Sequence, residues 1–147
     1  MHPTVLFKRL DPRAQLPRYQ TPGAAAMDLH ALLDSPLTIA PRQLVSVPTG
    51  LAMALPDENW VALILARSGL GIKHGVSPSN CVGVIDSDYR GELKVGLTNF
   101  SDTPYTIQPG DRFAQLMILP VAQAVVEERE ELPTTLRGEG GFGSTGV

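Results

Sequence analysis

At 147 residues and a net charge of −3 at neutral pH, the chain is one domain's worth of sequence, long enough to bury a core. Lys and Arg never form a run, which argues against a nucleic-acid-binding surface, and no apolar stretch is long enough to span a membrane. The single cysteine, Cys81, cannot form an internal disulfide, so we expect a reducing, cytoplasmic environment. Cys81 and the three histidines lack the spacing of a zinc site, so any metal should be a hard ion bound through carboxylate and phosphate oxygens.

Short strand-like segments make up most of the chain. Thirteen prolines and fourteen glycines separate them at short intervals, a spacing that favours strands over helices. We predict strands at Val5–Arg9, Leu51–Leu55, Trp60–Ala66, Thr103–Ile107, Arg112–Leu119 and Val121–Glu127, with a hairpin formed by Leu37–Ala40 and Gln43–Val47. Trp60–Ala66 is apolar throughout, as a central strand buried on both faces would be. Because no segment of about twelve or more residues has helical periodicity, the sequence predicts an all-β fold, a jelly-roll-like sandwich or barrel with at most one short helix.

Three shorter signals lie among these strands. Ala24–Ala31 is a small apolar run that contains Asp28. The Gly-rich segment after Trp60–Ala66 includes Ser68, which could cap a short helix whose exposed N–H groups would bind phosphate. Gln108-Pro109-Gly110-Asp111 has Pro-Gly in the central positions of a type II turn.

The stretch Gly83–Leu93 concentrates groups that could carry chemistry. An apolar arm precedes a polar tip, and a second arm, Leu93–Asn99, alternates in character, so we predict a β-hairpin. At the tip, Asp86 can act as a base and Tyr89 offers a flat face for stacking, while the other charged residues can make polar contacts. Taken alone, the same stretch also fits a solvated hairpin that carries a few charges.

The last eleven residues, 137–147, differ in kind. Five of them are Gly, so this segment should be disordered when free in solution. Its G-x-G-x-x-G spacing matches a dinucleotide fingerprint, but no strand precedes it and no helix follows, so we reject that interpretation. Arg137, Phe142 and Ser144 are suited to bind phosphate, cover a base and donate a hydrogen bond, whereas a plain linker would need none of them. We therefore divide the chain into a β domain, residues 1–132, and a flexible tail, residues 133–147.

Five segments together resemble the motifs of the trimeric dUTP diphosphatase (dUTPase) family, in the family's order. They are Ala26–Leu29, Arg67–Gly71, Gly83–Glu92, Arg112–Leu116 and Arg137–Gly146, and they span nearly the whole chain. Each alone is a weak signal, whereas five in order at compatible spacings are specific. One departure is visible, because Ala26 stands where the family usually has Gly. Since Asp28 is kept, we expect a local backbone adjustment there rather than lost chemistry.

The resemblance implies hydrolysis of dUTP to dUMP and diphosphate by water attack on the α-phosphate with Mg²⁺, which limits uracil incorporation into DNA and supplies dUMP for thymidylate synthesis. It also implies a homotrimer with active sites between subunits, no nucleic-acid or membrane partner, and a C-terminal tail that closes over an active site. By resemblance, Asp86 is the catalytic base, and Asp28 reaches through water a Mg²⁺ ion that the triphosphate mainly holds. The substrate-binding residues that it implies are Arg67, Ser68, Gly69, Asn80, Val84, Ile85, Tyr89, Lys94, Gln115, Arg137, Phe142, Gly143 and Ser144.

These residues divide between phosphate binding and base selection. By resemblance, Arg67, Ser68 and Gly69 form the phosphate-binding turn, and Gln115 contacts phosphate or water. The hairpin backbone and Asn80 would present the donor and acceptor pattern that uracil requires, and cytosine would leave buried polar groups unpaired. Tyr89 would pack under the deoxyribose, where a 2′-hydroxyl would collide with it.

Three other functions fit parts of the sequence. A dCTP deaminase would share the fold, but that family places a catalytic Glu at the base and lacks this hairpin tip and tail. A catalytically silent nucleotide-binding module would not need Asp86, Arg137 and Phe142 together. A purely structural jelly-roll subunit would not need five polar motifs. Diphosphate release from dUTP, as against ammonia release from dCTP, separates these alternatives.

Overall fold

The computed structural model describes residues 2–141, so the predicted contacts of Phe142, Gly143 and Ser144 lie outside the described range. Within it the chain forms strands and one helix, in this order: β1 Leu6–Arg9, β2 Met27–His30, β3 Leu37–Ile39, β4 Leu44–Pro48, β5 Leu51–Ala54, β6 Trp60–Ala66, α1 Ser68–His74, β7 Val76–Pro78, β8 Gly83–Ile85, β9 Lys94–Asn99, β10 Tyr105–Ile107 and β11 Arg112–Pro120. The predicted all-β fold with one short helix is confirmed.

Two antiparallel sheets contain most of the strands. One has the strand order β2-β11-β6-β8 and the other β4-β9-β7, while β1 pairs with β5 and β3 with β10. A single hydrophobic core joins the sheets, since it includes Leu29 and Leu116 from the first and Val47 and Leu97 from the second. Each such side chain stabilises the fold by about 1.5–3 kcal/mol when fully buried. Apolar packing between the sheets therefore joins them into one domain.

Strand β6 has the bounds that the sequence predicts, but its burial is different. Ala62 and Ile64 point into the core and are almost fully buried, whereas the alternate side chains of Val61, Leu63 and Leu65 are only half-buried. The prediction that both faces are buried is therefore wrong for the single chain. A strand buried on one face usually alternates apolar with polar residues, so the half-exposed apolar face of β6 is unusual.

Both predicted hairpins are wrong in their pairing. Strand β3 pairs with β10, and β4 pairs with β9, although a tight turn with a hydrogen bond from Gln43 N to Ala40 O (3.0 Å) joins β3 and β4. Arg42 adopts φ = 64° in this turn and donates its N–H to Asn99 O, which directs the chain into the other sheet. Likewise β8 pairs with β6, and β9 pairs with β4 and β7, so Gly83–Leu93 connects two sheets instead of closing a hairpin.

Two further details differ from the predictions. Val121–Glu127 forms no strand, because after a hydrogen bond from Val121 N to Asn59 O (2.8 Å) the chain leaves the sheet; Val125 and Val126 are 90% and 91% exposed. Ser68 is the first residue of α1, and Arg67 occupies the N-cap position without a side-chain cap.

The type II turn is consistent with the geometry, since Gly110 has φ = 83° and Asp111 N donates to Gln108 O (3.1 Å). Among the described residues, no helix is long and apolar enough to cross a membrane.

Candidate active site

A carboxylate between two guanidinium groups lies where β2, β6 and β11 come together. Asp28 is 8% exposed, and its Oδ1 lies 3.2 Å from Arg67 Nε while its Oδ2 lies 3.1 Å from Arg112 Nη1. Arg67 Nη1 also donates a hydrogen bond to the carbonyl oxygen of Arg112. The three side chains together carry a charge of +1, which favours an anionic ligand.

Strand register explains why these groups meet. Gln115 of β11 stands opposite Asp28 of β2 on one side and Leu65 of β6 on the other. Its Nε2 donates to Ala66 O (2.7 Å), which fixes the end of β6 immediately before Arg67. The fold thus brings together Asp28, Arg67 and Gln115, and the exposed Ser68 follows directly in the chain.

His30 is a member of this region that sequence reasoning missed. It stands opposite Arg112 in the register of β2 and β11, and its buried Nδ1 has no hydrogen-bond partner among the described residues. Burial lowers the pKa of His30; the Asp28 carboxylate opposes this shift, and the Arg112 and Arg67 guanidinium groups add to it. This lowering of the pKa favours the neutral form of the imidazole. The sequence also signals Arg112, because an Arg directly before an apolar strand segment stands out from its neighbours.

The loop that carries Asp86 is fixed by its own hydrogen bonds. Tyr89 N donates to Asp86 O (3.2 Å), and Arg90 Nη1 donates to the carbonyl oxygens of Ser87 (2.7 Å) and Tyr89 (2.9 Å). The Tyr89 hydroxyl donates to Glu92 O (3.1 Å). Asp86 itself is exposed and lines a cleft of about 690 Å³. The backbone around Asp86 and Tyr89 is consequently held within the loop.

The two groups of predicted site residues lie at opposite ends of β6. Ile85 pairs with Ala62, so Asp86 follows at the Val61 end of the strand, and both Asp86 and Val61 line the same cleft. Arg67 follows the other end of β6. From position 61 to position 67 is six residues, or about 20 Å of extended strand. Within one chain, the predicted base therefore does not meet the predicted phosphate-binding residues.

Other predicted site residues are less clearly assigned to the group at either end of β6. Asn80 is exposed, and its Nδ2 would lie 3.9 Å from a Cβ added at Gly83, which places it beside β8 with the exposed Val84 and half-buried Ile85. Lys94 Nζ lies 3.2 Å from Glu92 Oε2. Arg137 Nε donates to Gly140 O (2.8 Å) within its own segment.

Metal binding by protein groups alone finds no support in residues 2–141, since no cluster of three or more His, Cys, Asp or Glu side chains is arranged for it. A divalent cation at this site would need a ligand that supplies most of its oxygens. Phosphate oxygens of a bound substrate are suited to Mg²⁺, which keeps several waters and binds few protein groups.

An all-β fold with an arginine cluster for anions and a separate exposed carboxylate has the features of an enzyme that acts on a phosphate-bearing compound. The family model described as dUTPase matches residues 12–146. This chain therefore belongs to the dUTPase family.

Similar proteins agree with this assignment. The chain is 56% identical over 142 residues to the deoxyuridine 5′-triphosphate nucleotidohydrolase of Idiomarina loihiensis, covering 97% of this chain and 94% of that protein. It is 55% identical over 142 residues to the enzyme of the same name from Paraburkholderia phymatum, covering 95% and 96%. The dUTPase of Staphylococcus bacteriophage 80alpha with dUPNHPP has a similar structure, with a TM-score of 0.88 at 27% identity, covering 98% of this chain and 99% of that one.

Proposed function

We propose that this protein hydrolyses dUTP to dUMP and diphosphate. The observation that carries the proposal is the match to the dUTPase family over residues 12–146, with relatives named deoxyuridine 5′-triphosphate nucleotidohydrolase at 56% and 55% identity over almost the whole chain. The reaction limits uracil incorporation into DNA and supplies dUMP for thymidylate synthesis. An assay of diphosphate and ammonia release with dUTP, dCTP, dTTP and UTP tests this proposal. We expect diphosphate release from dUTP alone. Ammonia release from dCTP would show instead that the protein is a deaminase.

Asp86 is the base in this proposal. It orients the water that attacks the α-phosphate and accepts its proton. The hydrogen bond from Tyr89 N to Asp86 O (3.2 Å) supports this role, because it holds the backbone of the base close to that of the residue proposed to contact the sugar. Asn80, Val84 and Ile85 read the uracil edge, and Lys94 binds substrate from the start of β9.

The phosphate groups bind at the other end of β6. Arg67, Ser68, Gly69 and Gln115 contact the triphosphate there, and the +1 charge of the arginine–carboxylate cluster favours it. A Mg²⁺ ion held mainly by the triphosphate would neutralise part of its charge. Asp28 has lone pairs beyond those engaged by the two guanidinium groups, and these can accept hydrogen bonds from water in the metal's shell.

We propose a homotrimer with sites between subunits, and the separation of the two groups supports the sharing of each site. About 20 Å of β6 lies between Asp86 and Arg67, so one site needs Asp86 from one subunit and Arg67 from another. The half-exposed apolar face of β6 supports such an assembly, as do the exposed Val125, Val126 and Leu132 in the extended segment after β11.

Coexpression of two inactive chains tests the shared site. Chains with Arg67→Ala and chains with Asp86→Asn each lose turnover, by about 10²–10⁴-fold for Asp86→Asn. In isolated mixed trimers, a site formed from the intact Asp86 of one chain and the intact Arg67 of the other regains activity. A mixture of the two separately assembled homotrimers, kept from exchanging, is the control. Mixed trimers as inactive as that control would show that both residues act within one chain.

The tail is tested in the same way. We propose that residues 133–147 close over an active site of another subunit, with Arg137 on the triphosphate and Phe142, Gly143 and Ser144 over the nucleotide. Deleting residues 137–147 should leave a folded trimer with severely reduced turnover. Mixed trimers of this truncated chain with full-length Asp86→Asn regain activity when an intact tail covers an Asp86 site of a truncated neighbour. No recovery would mean that the tail acts on its own subunit.

A further inference from the structure

Arg67 is held by contacts on two of its nitrogens. Its Nε lies 3.2 Å from Asp28 Oδ1, and its Nη1 donates to the carbonyl oxygen of Arg112. Its Nη2 has no hydrogen-bond partner in the described part of the chain. The Arg67 side chain is 26% exposed, so it is largely buried but remains in part accessible to a ligand. A guanidinium held in this way is oriented before any ligand arrives.

Arg112 contributes to this orientation through two different groups. Its side-chain Nη1 lies 3.1 Å from Asp28 Oδ2, and its backbone carbonyl accepts from Arg67. The register between β2 and β11 shifts at a bulge between Arg112, which stands opposite His30, and Ala114, which stands opposite Leu29, so Phe113 is the extra residue on β11. Since one guanidinium engages each carboxylate oxygen, the plane of the Asp28 carboxylate is fixed from both sides.

We infer that Arg112, acting through Asp28, is a positioning residue that aims Arg67 at the substrate's phosphates. The inference rests on the proposed function, because it assumes that Arg67 binds the triphosphate. Arg112 itself need not touch the substrate. When the Arg112 guanidinium is removed, the Asp28 carboxylate can rotate. Arg67 is then no longer held in the orientation that phosphate binding requires.

A purely structural role is the competing explanation, since the Arg112–Asp28 pair also ties β11 to β2. The two roles differ in how they depend on Arg67. A structural tie affects stability whether or not Arg67 is present, and its loss adds to any effect of removing Arg67. A positioning residue has no effect on ligand binding once Arg67 is gone, because coupled residues are not additive.

The test is a double-mutant cycle on the whole protein. Calorimetry measures binding of the substrate analogue dUpNHpp, and dUTP turnover is measured alongside. Arg112→Gln should weaken dUpNHpp binding by about tenfold, the size expected for one charge-assisted hydrogen bond. In the Arg67→Ala background the same change should alter binding by less than about twofold. Arg112→Lys keeps a cation near Asp28 and should recover part of the lost affinity.

Arg42→Gln is the matched control, because it also removes an arginine from an ion pair with an aspartate. In that pair Arg42 Nη2 lies 3.3 Å from Asp102 Oδ1, and both side chains are exposed. It should leave binding unchanged. Equal losses from Arg112→Gln with and without Arg67 would overturn the positioning role, as would a wild-type-like Arg112→Gln. If Arg112→Gln does not fold, Arg112→Lys carries the same cycle. Wild-type protein that releases no diphosphate from dUTP would instead refute the proposed function itself.

Discussion

Gly91 leaves room for the Tyr89 ring, and adding one methyl group there tests whether that ring selects the sugar. A Cβ built at Gly91 would lie 2.3 Å from the Tyr89 hydroxyl oxygen, 2.6 Å from Cζ and 3.0 Å from Cε2. Ordinary contact begins at 3.4 Å, so the hydroxyl must retreat by about 1 Å in Gly91→Ala. The displaced atoms are the far end of a side chain that can rotate, so the backbone need not move.

The expected stability cost is small and the expected specificity cost is larger. A retreat of about 1 Å breaks the hydrogen bond from the Tyr89 hydroxyl to Glu92 O, which contributes about 0.5–1.5 kcal/mol at most at this exposed position. A pocket wall that excludes one small group discriminates by about 1–3 kcal/mol, or roughly 10–200-fold. If the Tyr89 ring excludes the 2′-hydroxyl, moving it should lower the preference for dUTP over UTP by about tenfold.

The measurement is the ratio of kcat/KM values for dUTP and UTP, obtained from diphosphate release. Tyr89→Ala removes the ring and gives the largest expected change in this ratio. Gly23→Ala is the matched control, because nothing lies within 4 Å of a Cβ at that position. A Gly91→Ala protein that discriminates between the two nucleotides as well as wild type would refute the role of the Tyr89 ring.

Two further predictions concern stability and charge. Asn99 is fully buried, donates hydrogen bonds to Ile39 O (3.0 Å) and Thr103 O (2.7 Å), and accepts one from Ser101 N (2.9 Å). Asn99→Leu should therefore lower the free energy of unfolding by about 3 kcal/mol, measured by urea unfolding at fixed protein concentration. A loss below about 1 kcal/mol would contradict this prediction. The hydrogen bonds from the Arg13 side chain and backbone lower the pKa of Asp11 to about 2, so Asp11 should remain ionised at pH 3 in an NMR titration, and Arg13→Gln should return its pKa towards the ordinary value of about 3.9. Because this folded-state pKa is depressed, any stability that the pair contributes is present above the unfolded pKa and is lost as pH falls through about 2. An Asp11 that titrates near its ordinary pKa in the wild type would exclude the pairing.

Local sequence determined the elements whose signals are local. Trp60–Ala66 forms a strand with the predicted bounds, because a continuous apolar run between turns can be buried only in a sheet or a long helix, and it is too short for the latter. The Pro109-Gly110 turn follows from the fixed φ of proline and the freedom of glycine at φ = 83°. The motif residues themselves were also readable, since each lies in a short segment with its own pattern.

Only the tertiary structure decided which strands pair and which side chains meet. The two strands of each predicted hairpin are neighbours in sequence, yet β3 and β4 enter different sheets, as do β8 and β9, because burial against distant strands outweighs the local turn. Arg112 reaches Asp28 across 84 positions only because β11 lies between β2 and β6. The same register sends Asp86 and Arg67 to opposite ends of β6, a separation that no spacing along the chain reveals, because it depends on how one strand is aligned with another.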